Sequence, residues 1–355
     1  MGNRKRVLVT GHAGYIGSVM VPVLQDQGHE VVGLDAFFFD GCDLGSYSVN
    51  VPQLKRDIRD VTPSDLKGFD AVVHLAALSN DPLGNLNREL TLEINYRASV
   101  WLALAARQAG VKRFLFSSSC SIYGASDESL LTEESAAVPL TAYAESKVRT
   151  EEEVRKLAAD DFSPVFMRNA TAYGFAPRFR ADVVLNNLTC WAFTTGRVNI
   201  LSDGMAWRPL VHVEDICLAF AAALVAPREV IHNQAFNIGS TDQNYRVREL
   251  ADIVREVVPR SVVQYGNERT PDARNYRVDF SKADHRLPGF RAKWNAYAGV
   301  HQLYAAFQQH GLKAEDFQGR RFTRLPELRF LLDSDVLDGN LRWVGGQCRE
   351  ACVSK

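Results

Sequence analysis

The chain has 355 residues, of which 46% are hydrophobic and 23% charged, a composition typical of a folded globular protein and not of a disordered one. Its 41 basic and 42 acidic side chains give a net charge of -1, which excludes the broad basic surface of a general nucleic-acid-binding protein. No apolar run approaches the roughly 18 residues of a membrane span, and the six cysteines follow no metal-binding pattern. We therefore expect a cytoplasmic protein with reduced thiols, without a metal, nucleic-acid or membrane partner.

The first half of the chain alternates short apolar segments with helical patterns. Strands are predicted at 6–10, 30–35, 53–57, 71–76, 111–118 and 164–168. Helices are predicted between them at 15–28, 89–110 and 141–159. This alternation predicts an α/β fold built on a doubly wound parallel sheet of the Rossmann type, with helices on both faces.

The pattern becomes irregular after about residue 169. Helices are predicted at 182–195, 213–225, 247–257 and 295–310, and a strand at 234–238. We predict a dinucleotide-binding domain at 1–170, with returns from about 208–240, and a smaller mixed α/β lobe at 171–310. Residues 311–355 form a charged, arginine-rich extension to which the sequence assigns no role.

Three glycines follow the first predicted strand, in the segment GHAGYIG at 11–17. Gly11 permits a tight turn, Gly14 lets backbone N–H groups approach a pyrophosphate, and Gly17 lets the next helix pack closely. The spacing is GxxGxxG and differs from the GxGxxG fingerprint. Because the helix N-terminus faces the anion, the segment predicts a dinucleotide site.

Asp35 ends the second predicted strand, where a carboxylate can accept both ribose hydroxyls and repel a 2′-phosphate. It therefore favours NAD over NADP. Asp57 and Ile58, at the end of the third strand, are expected beside the adenine, although a plain surface aspartate is the alternative. Three phenylalanines at 37–39 lie where the edge of the cofactor is expected, and we expect them to fill a core or an interface.

Tyr143 and Lys147 form a YxxxK pair on one face of a predicted helix. A nearby ammonium favours the phenolate, lowers the tyrosine pKa and makes Tyr143 a general base. The alternative is a solvated helix face, but the position after the fifth strand of a dinucleotide fold favours catalysis.

The segment SSSCSIYG at 117–124 leaves the end of the fifth predicted strand. Ligands of doubly wound sheets bind beyond the carboxyl ends of the strands. A serine here can therefore hydrogen-bond a substrate hydroxyl or carbonyl, although a polar loop with capping serines is the alternative.

Together these motifs resemble an extended short-chain dehydrogenase/reductase of the NAD-dependent nucleotide-sugar epimerase and dehydratase group. The resemblance rests on the three glycines, Asp35, HLAA at 74–77, Asn95, SSSCSIYG and the YxxxK pair. It continues through RPLVHVED at 208–215 and covers about residues 6–310. It implies NAD as the cofactor and a nucleoside-diphosphate sugar as the substrate.

The resemblance implies a role for each matching residue. Ser119 falls on the catalytic Ser/Thr position, Tyr143 on the catalytic base and Lys147 on the partner of that base. The implied cofactor contacts are Gly11, Gly14, Tyr15, Ile16, Gly17, Asp35, Asp57, Ile58, Leu75, Ala76, Ala77, Asn95, Tyr143 and Lys147.

The resemblance also implies substrate contacts besides Ser119. Arg208 and Arg269 fall on the diphosphate-binding arginines, and a guanidinium binds phosphate oxygens bidentately. Asn187 is a further candidate for the diphosphate. Thr171 stands where many epimerases have an asparagine, so its substrate contact departs from the family pattern.

One departure bears on the reaction. The 4,6-dehydratases of this family place Asp and Glu directly after the catalytic threonine, and sugar decarboxylases usually carry a Glu there. This chain has Cys120 and Ser121 at those positions, and neither is a good replacement acid or base. The difference argues against dehydration and for redox chemistry at one carbon.

The sequence therefore predicts an NAD-dependent epimerase that acts at C4 of a nucleotide sugar through a transient 4-keto sugar. A 4-ketosugar reductase needs the same three side chains and is the nearest alternative, followed by a 4,6-dehydratase. A non-enzymatic dinucleotide sensor is disfavoured because Tyr143 and Lys147 are both present. The resemblance further implies a homodimer built on the helices near 89–110 and 141–159.

Overall fold

The computed structural model describes residues 4–48, 50–79, 87–126, 130–266 and 274–345. Its strands are β1 (Arg6–Thr10), β2 (Glu30–Asp35), β3 (Gln53–Lys55), β4 (Ala71–His74), β5 (Arg113–Ser119), β6 (Ser163–Asn169), β7 (Thr171–Tyr173), β8 (Arg197–Ile200), β9 (Trp207–His212), β10 (Gln234–Ile238), β11 (Asn244–Arg246) and β12 (Val262–Tyr265). Its α-helices are α1 (Gly17–Asp26), α2 (Arg88–Leu92), α3 (Ala98–Gln108), α4 (Ala142–Arg155), α5 (Val184–Thr195), α6 (Val213–Val225), α7 (Arg228–Ile231), α8 (Val247–Val257), α9 (Ser281–Arg286), α10 (Ala296–His310), α11 (Ala314–Gln318) and α12 (Arg324–Asp333). No helix within these ranges is long and apolar enough to cross a membrane.

The main sheet has seven parallel strands in the order β10–β6–β5–β4–β1–β2–β3, which confirms the predicted fold class. The chain runs outward from β1 through β2 and β3, then returns to the other side of β1 to form β4. Thr10 at the end of β1 lies opposite His74 at the end of β4. The reversal of strand order leaves a crevice beyond these two strand ends, where ligands of such sheets bind.

Helices cover both faces of the main sheet, so its central strands are apolar along their whole length. Val7, Leu8 and Val9 follow one another in β1, and all three are inaccessible to solvent. Val7 and Val9 belong to the core that includes α1 and α6, whereas Leu8 belongs to the core that includes α3. Burial on both faces is why β1 shows an unbroken apolar run without the alternation of a half-exposed strand.

Two smaller sheets come from the second half of the chain. One has the order β11–β9–β7, and in the other β8 pairs with β12. The helices α5, α8 and α10 pack together beside them around a separate apolar core. As predicted, β10 returns to the edge of the main sheet beside β6. The exact domain limits stay a prediction.

The structure corrects several predicted boundaries; the helix predicted at 141–159 spans Ala142–Arg155, and the strand predicted at 71–76 ends at His74. The helix predicted at 89–110 consists of α2, a π turn at Glu93–Arg97, and α3. The helix predicted from residue 15 begins at Gly17. The third strand ends at Lys55, because the Asp57 carboxylate accepts the Arg59 backbone N–H (2.9 Å) and starts a short 3₁₀ helix.

Residues 311–345 pack against the body of the protein. Their buried leucines, which join the core of the main sheet on the α3 side, are Leu328, Leu331, Leu337 and Leu341. Beyond α12, the Trp343 indole donates to the Ala36 carbonyl oxygen (2.7 Å), just after β2. The extension therefore belongs to the same compact unit as the glycine turn and β2.

A buried ion pair joins α4 to the main sheet. The Arg168 guanidinium on β6 donates from Nε and Nη2 to the two Glu151 carboxylate oxygens, at 3.0 and 2.7 Å. Ser118 on β5 donates to the same carboxylate (2.6 Å), and Arg168 also donates to the Tyr123 hydroxyl (3.0 Å), which donates to Asn237 (2.8 Å). These bonds fix α4, and with it Tyr143 and Lys147, on the ends of β5 and β6.

We expect Glu151→Gln to destabilise the protein by about 3–5 kcal/mol, because it leaves the Arg168 charge buried without its counter-ion. The measurement is the free energy of unfolding in urea. Glu153→Gln, two residues along the same helix, removes only an exposed pair with Lys156 and should cost at most about 0.5 kcal/mol. Equal losses in the two variants would contradict the importance of the buried pair.

Candidate active site

A cavity of about 650 Å³ opens beyond the ends of β1 and β4, and its size is typical of a ligand site. Most of the predicted site residues lie in its walls: Gly11, Gly14, Tyr15, Ile16, Gly17, Asp35, Asp57, Ile58, Leu75, Ala76, Ala77, Ser119, Tyr143, Lys147, Thr171, Asn187 and Arg208. The fold therefore brings predicted site residues as far apart in sequence as Gly11 and Arg208, 197 positions, to the same cavity. Arg269 lies outside the described residues.

The glycine turn is packed too tightly for side chains. Gly11 has φ +72°, and a Cβ there would lie 2.7 Å from the Ala76 backbone nitrogen. A Cβ on Gly17 would lie 2.2 Å from the Gly11 carbonyl oxygen, so this glycine serves the turn itself more than the packing of α1 on the sheet. The result is a bare backbone surface at the start of α1, which suits the approach of a phosphate.

Asp35 at the end of β2 also lines the cavity. Its two carboxylate oxygens accept the backbone N–H groups of Ala13 (3.1 Å) and Phe37 (2.7 Å). Phe37 has φ +58°, an uncommon backbone conformation for a bulky residue, directly after this turn. The acid is thereby held at the edge of the glycine turn, where a ribose of the dinucleotide is predicted.

A chain of buried hydrogen bonds holds the ends of β1 and β4. Ser99 Oγ donates to the Asn95 carbonyl oxygen (2.7 Å), so the His74 Nε2–H must donate to Ser99 Oγ (2.8 Å). His74 Nδ1 then accepts from the Thr10 hydroxyl (2.6 Å). Burial, followed by the charge of Lys147, lowers the pKa of His74 to about 3, which keeps this imidazole neutral.

The structure does not place Asn95, a predicted cofactor contact, in the cavity wall. Its side chain is inaccessible and bonds both backbone groups of Leu78, accepting from the N–H (2.8 Å) and donating to the carbonyl oxygen (3.0 Å). Asn95 thus holds the segment after β4, whose residues Leu75 to Leu78 do line the cavity. The π turn that contains Asn95 directs the amide to Leu78.

Tyr143 and Lys147 lie on the cavity face of α4, whose first turn is capped by Thr141. The Lys147 ammonium is 5.5 Å from the centre of the Tyr143 ring and donates to the Ser117 carbonyl oxygen (2.6 Å). It is also 4.6 Å from the centre of the Phe116 ring. Burial lowers the pKa of Lys147 to about 7, so its charged and neutral forms coexist near neutral pH.

Ser119 reaches the same wall from the end of β5. Its oxygen accepts the Ser121 backbone N–H (3.1 Å), which leaves the hydroxyl proton available to a ligand. Cys120 is turned into the core, where its Sγ lies 3.1 Å from the Arg168 carbonyl oxygen, and burial raises its pKa well above 9.0. Neither Cys120 nor Ser121 therefore supplies an acid or base to the cavity at neutral pH.

Arginines form much of the remaining wall. Arg208 on β9 donates to the carbonyl oxygens of Trp207 (2.8 Å) and Arg274 (2.5 Å), and Arg274 itself lines the cavity. Arg180 and Arg324 also line it, and neither was predicted. Arg180 lies in the charged loop after β7, a weak signal in the sequence, whereas Arg324 lies in the extension that the family pattern does not cover.

No group of three or more His, Cys, Asp or Glu side chains in the described part of the chain could hold a metal ion. The cysteines described there, at 42, 120, 190 and 217, are buried free thiols. The close pair at 348 and 352 lies outside the described residues.

Comparison with known proteins shows one consistent relationship. Residues 7–239 match the model of the NAD dependent epimerase/dehydratase family. UDP-glucose 4-epimerase of Corynebacterium glutamicum is 30% identical over 270 residues, 71% of this chain and 80% of that protein. UDP-glucuronic acid decarboxylase 1 of Arabidopsis thaliana is 26% identical over 327 residues, 89% of this chain and 73% of that protein.

A solved structure extends the comparison to three dimensions. The structure of MoeE5 in complex with UDP-glucuronic acid and NAD matches this fold with a TM-score of 0.74 and 29% sequence identity. The match covers 86% of this chain and 99% of that one. It confirms the predicted Rossmann-type fold, and with the relatives it confirms NAD as the cofactor.

The low pKa of Lys147 predicts how Lys147→Met changes stability with pH. Between about pH 7 and its ordinary value of 10.5, the unfolded chain binds one more proton at this site than the folded chain. Wild-type stability should therefore rise with pH in that window through this group. The penalty for burying the charge, which Lys147→Met removes, is largest below about pH 7.

Thermal unfolding of wild type and Lys147→Met from pH 6.5 to 9 tests this expectation. We expect the stability of the variant relative to wild type to fall steadily as the pH rises. A difference that stays constant over the whole range would show that burial does not depress the pKa of Lys147.

Proposed function

The chain belongs to the NAD-dependent epimerase/dehydratase family, and on that basis we propose that it inverts the configuration at C4 of a nucleoside-diphosphate sugar. It is an enzyme with NAD as its cofactor, and its relatives act on UDP sugars. The observation that carries the proposal is the meeting of Ser119, Tyr143 and Lys147 at one wall, with no acid at positions 120 and 121.

The residues around the glycine turn fit NAD. The bare backbone at Gly11 and Gly17 would receive the diphosphate, and Asp35 would accept the ribose hydroxyls. Ile58 would lie beside the adenine; the Asp57 carboxylate already holds the Arg59 guanidinium through Nε and Nη2 (3.0 and 2.7 Å). The Asp57 carboxylate is therefore already engaged, and we propose that Asp57 contributes to the adenine site as part of the cavity wall.

Ser119, Tyr143 and Lys147 form a catalytic triad in which each side chain has a distinct task. Bound NAD supplies reversible hydride chemistry at a sugar carbon. Tyr143 takes the proton of the substrate hydroxyl and later returns it, while the Ser119 hydroxyl keeps its proton and donates a hydrogen bond to the same substrate oxygen. Lys147, anchored on Ser117, supplies positive charge near the phenol and favours its deprotonated form.

The substrate diphosphate would bind the second half of the chain. Arg208 and Arg274 line the cavity from neighbouring segments and are proposed contacts of the diphosphate, together with Arg269 and Asn187. Thr171 on β7 offers a hydroxyl in the same cavity. A diphosphate fixed by these groups lets the sugar turn over within the cavity without leaving the protein, as inversion at one carbon requires.

Cys120 and Ser121 argue against the dehydratase and decarboxylase chemistry of other family members. Removal of a hydroxyl group needs an acid for the leaving oxygen and a base for the C5 proton. The Cys120 thiol faces the core with a raised pKa, and Ser121 has no acidic group. Redox chemistry at C4 needs only the triad and NAD.

The predicted homodimer and cytoplasmic location stay predictions. Trp101 on α3, the helix expected at the dimer interface, is 41% exposed, and its indole donates to the Val61 carbonyl oxygen of the same chain (2.7 Å). The Trp101 ring therefore packs on its own chain through this hydrogen bond, and its exposed part is available to a partner subunit.

Incubation with a panel of nucleotide sugars, without added cofactor, tests the proposed reaction. We expect a product of unchanged mass that NMR identifies as inverted at C4. The reaction should need no added cofactor, because the purified protein carries bound NAD. A strict requirement for stoichiometric NADH would identify a 4-ketosugar reductase instead. A product lighter by one water would identify a dehydratase.

Two variants separate chemistry from cofactor binding. Tyr143→Phe removes only the hydroxyl that transfers the proton, so turnover should fall by about 10² or more while NAD content stays at the wild-type level. Asp35→Ala removes the proposed ribose acceptor and should lower the NAD content instead. The measurements are the product formed and the NAD released on denaturation. Full activity in Tyr143→Phe would eliminate this mechanism.

A further inference from the structure

Arg324 brings a charge from the extension into the active-site cavity. The residue is 2% exposed and lines the cavity, with its guanidinium 4.4 Å from the centre of the Phe39 ring. Its Nη2 donates to the carbonyl oxygens of Arg178 (3.2 Å) and Phe179 (3.4 Å). Its Nη1 is buried without any hydrogen-bond partner among the described residues.

Arg180 is buried in the same wall. It is 6% exposed, its Nε donates to Asp182 (2.7 Å) and its Nη1 donates to the Ser79 hydroxyl (3.0 Å). Its Nη2 is also buried without a hydrogen-bond partner in the described part of the chain. Both arginines therefore line one cavity, and each has a buried nitrogen without a hydrogen-bond partner among the described residues.

Asp182 compensates the Arg180 charge more fully than the Arg324 charge. Asp182 is the carboxylate shared by the two arginines, since its second oxygen also accepts the Arg324 backbone N–H (3.4 Å). Burial, followed by the charge of Arg180, lowers the pKa of Arg324 to about 10, so the group stays protonated at neutral pH. A buried charge with an unused donor is costly unless an anion compensates it.

We propose that Arg180 and Arg324 bind the diphosphate of the dinucleotide, together with the backbone of the glycine turn. Guanidinium groups match phosphate oxygens in geometry, and each arginine has a free N–H to donate. The proposal rests on NAD as the cofactor and does not depend on the reaction at C4.

The neighbours of the pair favour the dinucleotide over the sugar nucleotide. Ser79 follows β4, whose end lines the cofactor crevice. Asn186 Nδ2 lies near both the Tyr15 hydroxyl of the glycine turn (3.3 Å) and the Arg180 carbonyl oxygen (2.9 Å). A separate arginine pair, Arg208 and Arg274, remains for the second diphosphate that the cavity must hold.

The extension is anchored on the same side as the predicted adenosine. The Trp343 ring lies 6.0 Å from that of Phe38, and Arg342 pairs with Asp60 beyond β3. With Arg324 on Phe39, two of the three phenylalanines after Asp35 support extension residues. The extension thereby acquires a role as part of the cofactor site, with Arg324 as its ligand-binding residue.

Titration calorimetry of nucleotide-free protein tests the assignment with ADP-ribose, which carries the diphosphate, and adenosine, which lacks it. We expect Arg324→Met to weaken ADP-ribose binding about ten- to hundredfold, as for the loss of a hydrogen bond between charged groups. Adenosine affinity should stay within about twofold, because adenosine makes no diphosphate contact. Arg329→Met, on the exposed side of the same helix, is the matched control and should change neither affinity.

A second variant separates binding from folding. Arg324→Lys keeps the charge and should bind ADP-ribose with intermediate affinity, at a thermal midpoint close to wild type. Unchanged ADP-ribose affinity in folded Arg324→Met would overturn the proposal. A loss of UDP-glucose affinity with ADP-ribose unchanged would also overturn it and assign the pair to the sugar nucleotide.

The result is independent of the proposed reaction. A protein that shows the expected ADP-ribose pattern without inverting any sugar at C4 would keep this anion site and lose the epimerase proposal. A protein that inverts the sugar with unaltered ADP-ribose binding in Arg324→Met would do the reverse.

Discussion

The rest of the structure depends on the hydrogen-bonded chain from Thr10 through His74 and Ser99 to Asn95. The reversal of strand order between β1 and β4 creates a crevice, and these buried bonds hold the two strand ends that border it. The neutral imidazole of His74 donates on one side and accepts on the other, so every member of the chain has a partner. The glycine turn and the segment after β4 are thereby fixed before any ligand binds.

Buried charges are compensated by a partner in the scaffold, whereas at the cavity they are compensated less completely. Glu151 and Arg168 compensate each other through two short hydrogen bonds and serve to position α4. Lys147 and Arg324 line the cavity, and burial lowers the pKa of each. Such sites reduce the stability of the folded protein in order to prepare charge for a ligand, a recurring compromise between stability and function.

Local patterns in the sequence predicted the main features of the fold and of the cofactor crevice. The apolar run of β1, the glycines and Asp35 are close in sequence and follow from backbone sterics and strand burial. The family motif includes Asn95 but does not show where its amide turns, and the structure directs that amide to the backbone of Leu78. Arg324 could not be predicted, because its place beside Phe39 results from packing between segments 285 positions apart (39 to 324).

The contact between the extension and β2 also has a consequence for the order of folding. The apolar core under β2 includes Leu34 and Leu341, so it remains incomplete until the distant segment has been synthesised and has docked. The part of the cavity wall that Arg324 contributes likewise forms only after α12 has docked. A chain truncated after α10 would leave the apolar residues under β2 without the leucines that cover them.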